Sequence, residues 1–503
     1  MRFTSIALLM LATLAFCTTA TAQDRTVGLH LNEPGAYEGY TLFTPRLSDD
    51  TYLIDMEGRL VHEWAGTSPA LQVELLPSGM LMRAVDDFHQ DFRRNAGKTG
   101  RVELVDWDGF VIWSYTLNSS DQHLHHDVLV MPSGNVLMSS WERMSISEAI
   151  EAGRDPDAVP DGGLLTERII EVDPFTDAIV WEWRMRDHLI QDFDSTKSNF
   201  GVIADNPGKL DINSYRQVTE DWNHVSGLDF NPYTGEILIS GHGQDSIFII
   251  DGSVTSAEAA TEAGDFVYRW GNPGNYDQGN FGDRHFQSMH DAQWIAEGLP
   301  GEGNILAFNN GFQQGQSSAD ELVPPLQVDG TYGDIPYGPD ELEWIYGGDD
   351  PEFYSGAMGG VQRLPNGNTL IAEGAYGEIS EVTEAGDLVW YYVNPVLEDY
   401  ALFWDEEIPS NSAGTIQQNE IFLARRYDAS YPGLSGRTLT PGIALEGFLA
   451  GDMDQDGFVT LLDVPLFATA LVSPGYQNEG DINRDGQVDL LDIDPFLLVL
   501  FGG

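Results

Sequence analysis

The sequence predicts an all-β fold, a six-bladed β-propeller, followed by a small α-helical module. Three observations predict it. One hairpin motif recurs six times, a Pro–Gly turn recurs three times, and two Asp-rich loops follow one another near the C-terminus.

The hairpin motif pairs a Gly or Asp turn with an apolar strand that ends on an aromatic residue. Its copies are Gly58-Arg-Leu-Val-His-Glu-Trp64, Gly109-Phe-Val-Ile-Trp-Ser-Tyr115 and Asp177-Ala-Ile-Val-Trp-Glu-Trp183. They continue with Gly264-Asp-Phe-Val-Tyr-Arg-Trp270, Asp340-Glu-Leu-Glu-Trp-Ile-Tyr346 and Gly386-Asp-Leu-Val-Trp-Tyr-Tyr392. Period-two alternation rich in Val, Ile and aromatics reads as strand, and the turn residues read as hairpins. Short apolar runs such as Tyr52-Leu-Ile-Asp, Val102-Glu-Leu-Val-Asp and Ile247-Phe-Ile-Ile-Asp precede most copies. The second turn appears as Leu75-Leu-Pro-Ser-Gly79, Val130-Met-Pro-Ser-Gly134 and Arg363-Leu-Pro-Asn-Gly367. Strand-only repeats of this length stack as propeller blades, because one small sheet cannot bury both of its faces alone. The motif aromatics are expected in the blade cores. Residues 141–165, 186–220 and 312–340 lack alternation and are expected as loops over one face, where function concentrates.

Arg2, the apolar run Ile6 to Phe16 and the small-residue end Ala20-Thr-Ala22 read as a secretory signal over residues 1–22. The chain is therefore expected to be exported, periplasmic or secreted, with the propeller over 23–447 and the last module over 448–503. No later run is long enough to predict a transmembrane segment. Cys17 lies inside the signal, so thiolate chemistry and disulfides are not expected of the mature chain. Twenty-four Lys and Arg stand against 80 Asp and Glu, a net charge of −56. Such a surface argues against a nucleic-acid partner.

After about Gly447 the composition changes. Asp452, Asp454, Asp456, the Phe458 carbonyl and Asp463 fall at positions 1, 3, 5, 7 and 12 of a calcium loop, with Gly457 at 6. Asp481, Asn483, Asp485, the Gln487 carbonyl and Asp492 repeat the pattern around Gly486. Hard oxygen ligands at this spacing predict Ca²⁺. The paired loops resemble the type I dockerin repeat. That resemblance implies a docking role toward a cohesin-like scaffold or cell-surface partner; the family's recognition pairs fall on Leu461-Leu462 and Leu490-Leu491.

Three of the 11 histidines occupy comparable places in successive repeats. Leu71, His126 and Gly359 each lie six residues before a turn proline, and His224 and His290 open the corresponding later runs. Innermost strands line the channel of a propeller, so these imidazoles are expected to meet at one mouth. His125 is expected to face away from His126 by strand alternation. His30, His62, His89 and His188 read as structural.

Here the chain resembles the bacterial arylsulfate sulfotransferase family, over most of residues 30–445. The motifs that carry the resemblance are His125-His126-Asp127, Asp221-Trp222-Asn-His224 and Ile-Leu-Ile-Ser240-Gly-His242. Met289-His290-Asp291, Phe308-Asn309-Asn310-Gly311 and Arg426-Tyr427 through Tyr431-Pro432-Gly-Leu complete the set. The resemblance implies a six-bladed propeller that moves a sulfuryl group from a phenolic sulfate ester to a phenol. It needs no nucleotide cofactor, and no Gly-x-x-x-x-Gly-Lys-Ser/Thr run is found. It also implies a sulfated His290, with His126 and His224 handling protons and sulfate oxygens. Ser226 stands where the family usually has Asn, and His242 where it has a sulfate-clamping Arg. A histidine supplies that cation only near or below its usual pKa of about 6.5. Ser226, Trp222, Asn310 and His125 are the expected substrate-binding residues. Two other readings fit the same residues: a non-catalytic binding propeller, and a hydrolase or lyase with an imidazole-bound metal.

Overall fold

The computed structural model describes residues 25–446 apart from 88, 93–95, 215–218, 334, 349, 399, 405 and 412–415. It further describes 453, 461–472, 488, 490–493, 496–497 and 500. Contacts divide the chain into Thr26–Gly447 and a second unit that takes in Phe448–Gly503.

The first unit is a six-bladed β-propeller. Four blades are plain four-stranded antiparallel meanders, opened by the strands Ala70–Leu75, Gln122–Val130, Val225–Phe230 and Met289–Trp294. The fifth opens with Gly360–Arg363 and gains a fifth, outermost strand from the N-terminal Gly28–Asn32. The last blade mixes both ends of the domain. Ile421–Tyr427 is its innermost strand, followed outward by Tyr40–Pro45, Thr51–Ile54 and Leu60–Trp64. Each of the six hairpin motifs supplies the strand that follows the third strand of its blade. Their aromatics go where apolar burial is available: Trp64, Trp183, Trp270 and Tyr392 are buried.

The innermost strands are tied in a closed circle by side chains that accept the next blade's backbone N–H. Gln72 accepts from Val128, Asp127 from Leu228, Asp229 from Trp294, Asp291 from Val361 and Gln362 from Arg426. The Tyr427 hydroxyl accepts from Leu75 and returns to the start. Buried backbone donors need partners, and here each partner belongs to the neighbouring blade. Fixing the blades to one another fixes what their innermost strands carry.

The expected loops are shorter than their sequence suggested. Strand Val136–Met144 reaches into 141–165, and strand Ser318–Leu322 lies inside 312–340. Both bury polar side chains, including Glu142, Asp320 and Glu321, so apolar alternation was a poor guide there. The first insertion keeps a short helix, Ile146–Glu151, capped by Ser145 and Glu148 in a reciprocal box.

In the second unit, helix Val464–Ala470 begins directly after Asp463, and a 3-10 turn spans Leu490–Asp492. Phe467 stacks on Phe496 with ring centres 4.0 Å apart. Asp463 and Asp492 are buried, and the Asp463 Oδ1 accepts the Met453 N–H at 2.7 Å. The expected ligands Asp452, Asp454, Asp456, Phe458, Asp481, Asn483, Asp485 and Gln487 lie outside the described residues, as does the signal segment 1–22. No helix among the described residues is long and apolar enough to cross a membrane.

Candidate active site

Four histidines form an arc at one mouth of the channel. Ring centres are 4.6 Å apart from His126 to His224, 4.7 Å from His224 to His242, and 4.9 Å from His242 to His290. Phe422, on the innermost strand of the closing blade, faces both ends of the arc. Its ring centre is 6.1 Å from His126 and 5.8 Å from His290. No repeated motif marks Phe422, so the sequence alone gave no sign of it. The arc lines a cavity of about 750 Å³ whose wall includes Arg46, Arg284, Phe281 and Phe312.

Local backbone breaks aim these rings. His126 and His224 have left-handed φ of 46° and 36°, and Asp291, next to His290, has 51°. Each lies at or beside a β-bulge in its innermost strand, where the pairing shifts near Ser139, Ser226 and Ala292. Bulges re-aim side chains and bend the strand. Non-glycine residues in this region cost about 1–3 kcal/mol each and persist where the surroundings hold them. Here the Gly97 carbonyl accepts the His126 N–H at 2.6 Å.

Three of the four rings have a partner on Nδ1. The His290 Nδ1 stands 2.6 Å from Asn310 Oδ1. The Asn310 amide nitrogen donates to the carbonyls of Ser355 and Met358 at 2.7 and 2.8 Å, which fixes which end of the side chain is oxygen. A carbonyl oxygen only accepts, so His290 carries its proton on Nδ1 and keeps a lone pair on Nε2. The His224 Nδ1 donates to Asp221 Oδ2 at 2.6 Å. The His126 Nδ1 meets His125 Nδ1 at 2.9 Å.

Charge is placed unevenly on the arc. Burial opposes a charge on His224, yet the Asp221 carboxylate outweighs it and raises the His224 pKa above the usual value. Asp221 is lowered in turn: burial pushes it up, and the positive His224 overrides that. The other three rings are driven neutral, with burial the leading cause in each. His290 is lowered to about 4, the Asn310 contact opposing and the His224 charge adding. His126 and His242 lie well below 6.5, and His224 is the next cause in both. Among the four rings, the surroundings of His224 alone favour a positive charge. Burial drives His242 away from the protonated state it would need to replace the family's Arg.

The expected substrate-binding residues stand mostly behind the cavity wall. Ser226 donates to the Met289 carbonyl at 2.9 Å, joining two blades beside His290. Asn310 is fully buried against His290. His125 stacks on Trp141, with ring centres 4.2 Å apart, and faces Glu167. It does face away from the arc, but the left-handed turn at His126 keeps the two Nδ1 atoms together. Trp222 touches the cavity, but it is wholly buried in the core under the Arg154 guanidinium. Sequence reading missed Arg284, whose guanidinium bonds Asp245 at 2.7 Å and lies 3.8 Å over the Phe281 ring. Of the histidines read as structural, His188 is buried against Asp265 and Trp183, whereas His30 is exposed. Among the described residues, no group of His, Cys, Asp or Glu is placed to hold a metal ion.

Residues 46–388, more than half of the chain, match the family model described as Arylsulfotransferase (ASST). No curated protein matches the sequence. Among solved structures, a protein of unknown function from Bacteroides caccae is 10% identical, with 78% of this chain and 99% of that chain covered and a TM-score of 0.41. Virginiamycin B lyase from Staphylococcus aureus is 9% identical, with 73% and 89% covered and a TM-score of 0.34. Neither likeness is close enough to bear on the chemistry.

Proposed function

Because the chain belongs to the arylsulfotransferase family, whose substrates are small phenolic compounds, we propose that it moves a sulfuryl group between phenols through a sulfated His290. The observation that carries this reading is the Asn310–His290 contact, which leaves a neutral Nε2 lone pair facing the cavity arc. A neutral imidazole is a competent nucleophile. His290 Nε2 forms the N–S bond as the S–O bond to the aryl group breaks, and the phenolate leaves. His224, held positive by Asp221, meets the negative oxygens of the sulfuryl group. Preorganised charge of this kind is commonly the largest single contribution to transition-state stabilisation. His126 gives the departing phenolate its proton, and the acceptor phenol then takes the sulfuryl group from His290.

Beyond the transfer, we read residues 1–22 as an export signal and 448–503 as a dockerin-like module that binds two Ca²⁺ and docks the enzyme to a surface or scaffold. The exposed pairs Leu461-Leu462 and Leu490-Leu491 would make an apolar docking face.

The test is intact-protein mass spectrometry of residues 23–503 mixed with 4-nitrophenyl sulfate, with and without phenol. The expected result is a sulfuryl adduct that disappears when phenol is added, accompanied by nitrophenol release. His290→Ala should lose both. Neither adduct nor nitrophenol in the wild type would overturn the reading in favour of a binding propeller.

A further inference from the structure

Behind His126 the blade holds two ionisable groups that the transfer step does not touch. Glu167 lies on strand Leu164–Asp173 and is wholly buried. Its Oε2 stands 3.1 Å from His125 Nε2, somewhat out of line with the ring N–H. On the other edge of the same ring, His125 Nδ1 meets His126 Nδ1 at 2.9 Å. His125 is 1% exposed and held flat on Trp141, so solvent does not reach this path. Glu167, His125 and His126 thus form one row that runs from the blade core to the cavity.

We propose that Glu167, acting through His125, stores the proton that His126 gives to the leaving phenolate and regains it from the acceptor phenol. This rests on the sulfotransfer reading above. In the resting row the Glu167 carboxyl is protonated, His125 carries its proton on Nδ1, and His126 carries its own on Nε2. As the S–O bond breaks, the His126 Nε2 proton goes to the phenolate. The His125 Nδ1 proton moves to His126 Nδ1, and the Glu167 proton moves to His125 Nε2 with a small turn of the carboxyl. The row ends with Glu167 ionised and both rings neutral. The acceptor phenol reverses these shifts when it loses its proton to His126 Nε2 and takes the sulfuryl group. One proton leaves and one returns per turnover.

The surroundings favour this assignment. Burial raises the Glu167 pKa; the facing His125 opposes this and the Asp221 charge adds to it. His126 faces His224, His125, His290 and His242, which all work against a charge on it. A second imidazolium beside His224 is therefore costly, and a row that moves a proton without leaving a charged ring avoids it. Glu167 and His125 touch no substrate and are positioning residues.

Infrared difference spectroscopy on the signal-free chain tests the proposal. The expected result is a carboxylic-acid carbonyl band in the resting protein that is missing in Glu167→Gln. It should fade when 4-nitrophenyl sulfate forms the adduct and return with phenol. Glu167→Gln should also slow transfer to phenol by about 10²-fold, the low end for general acid–base help. That loss should shrink for acceptors acidic enough to be ionised already. His125→Phe keeps the ring on Trp141 and should leave the resting band but stop its response to the donor. An adduct that forms with no change in the band overturns the proton store while leaving the sulfotransfer reading intact. An equal loss in Glu167→Gln for all acceptors overturns it too. Absence of any adduct is failure of the sulfotransfer reading itself.

Discussion

Asp221→Asn isolates the charge on which the proposed chemistry depends. The carboxylate sits 2.6 Å from His224 Nδ1, and both groups are shielded from water. Two unit charges about 4 Å apart at an effective dielectric constant near 20 attract by about 4 kcal/mol. Losing the carboxylate removes the contribution that holds the His224 pKa above its usual value. Burial then dominates and the His224 pKa falls. The sulfuryl oxygens lose their preorganised cation, which should cost about 10²–10³-fold in rate. The pH profile gives the sharper reading. In the wild type, activity should fall below about 4, as His290 takes a proton, and fall again above 6.5 through the raised pKa of His224. In Asp221→Asn the alkaline limb should move toward acid. The assay is nitrophenol release from 4-nitrophenyl sulfate across the pH range. An alkaline limb that does not move would refute the assignment of the positive charge to His224. The same pair affects stability. His224, raised, stabilises the fold at low pH and loses that contribution as pH rises through its folded pKa. Asp221, lowered, contributes above its unfolded pKa near 3.8 and loses this as pH falls.

Two further perturbations probe the site and the C-terminal unit. Gly97 has φ +74°, and a Cβ there would collide with the His126 ring. Gly97→Ala should displace that ring and lower turnover, with the left-handed backbone costing about 1–3 kcal/mol of stability; folded protein with unchanged turnover would count against His126 as the proton donor. In the C-terminal unit, titration calorimetry should find two Ca²⁺ per chain. Asp452→Ala should remove one and Asp481→Ala the other, whereas no heat in the wild type would refute the calcium reading.

The blade count was legible because the hairpin motif repeats and its aromatics have one stable place, the blade core. The third-strand runs at 102–106 and 247–251 were equally plain, each leading into a motif copy. Strand Ser318–Leu322 was missed because its alternation carries Asp320 and Glu321, polar groups that only the buried face of their neighbours accommodates. The histidine set was legible from its spacing before the turns. The role of His125 was not, because strand period predicts facing only while the backbone stays extended, and the left-handed turn at His126 breaks that period.

The sequence by itself determined the propeller, the arc of His126, His224 and His290, and the resemblance that the family match upholds. These follow from local patterns: period, turn chemistry and motif order. Only the tertiary structure decided which ring faces a carboxylate and which keeps its Nε2 lone pair free. Those properties depend on Asn310 and Glu167, which reach the rings from other parts of the chain, and on the turn that folds Asp221 back onto His224 three residues later. An imidazole takes its tautomer and its charge from the atoms that face it in space, and the neighbours in the chain do not fix those.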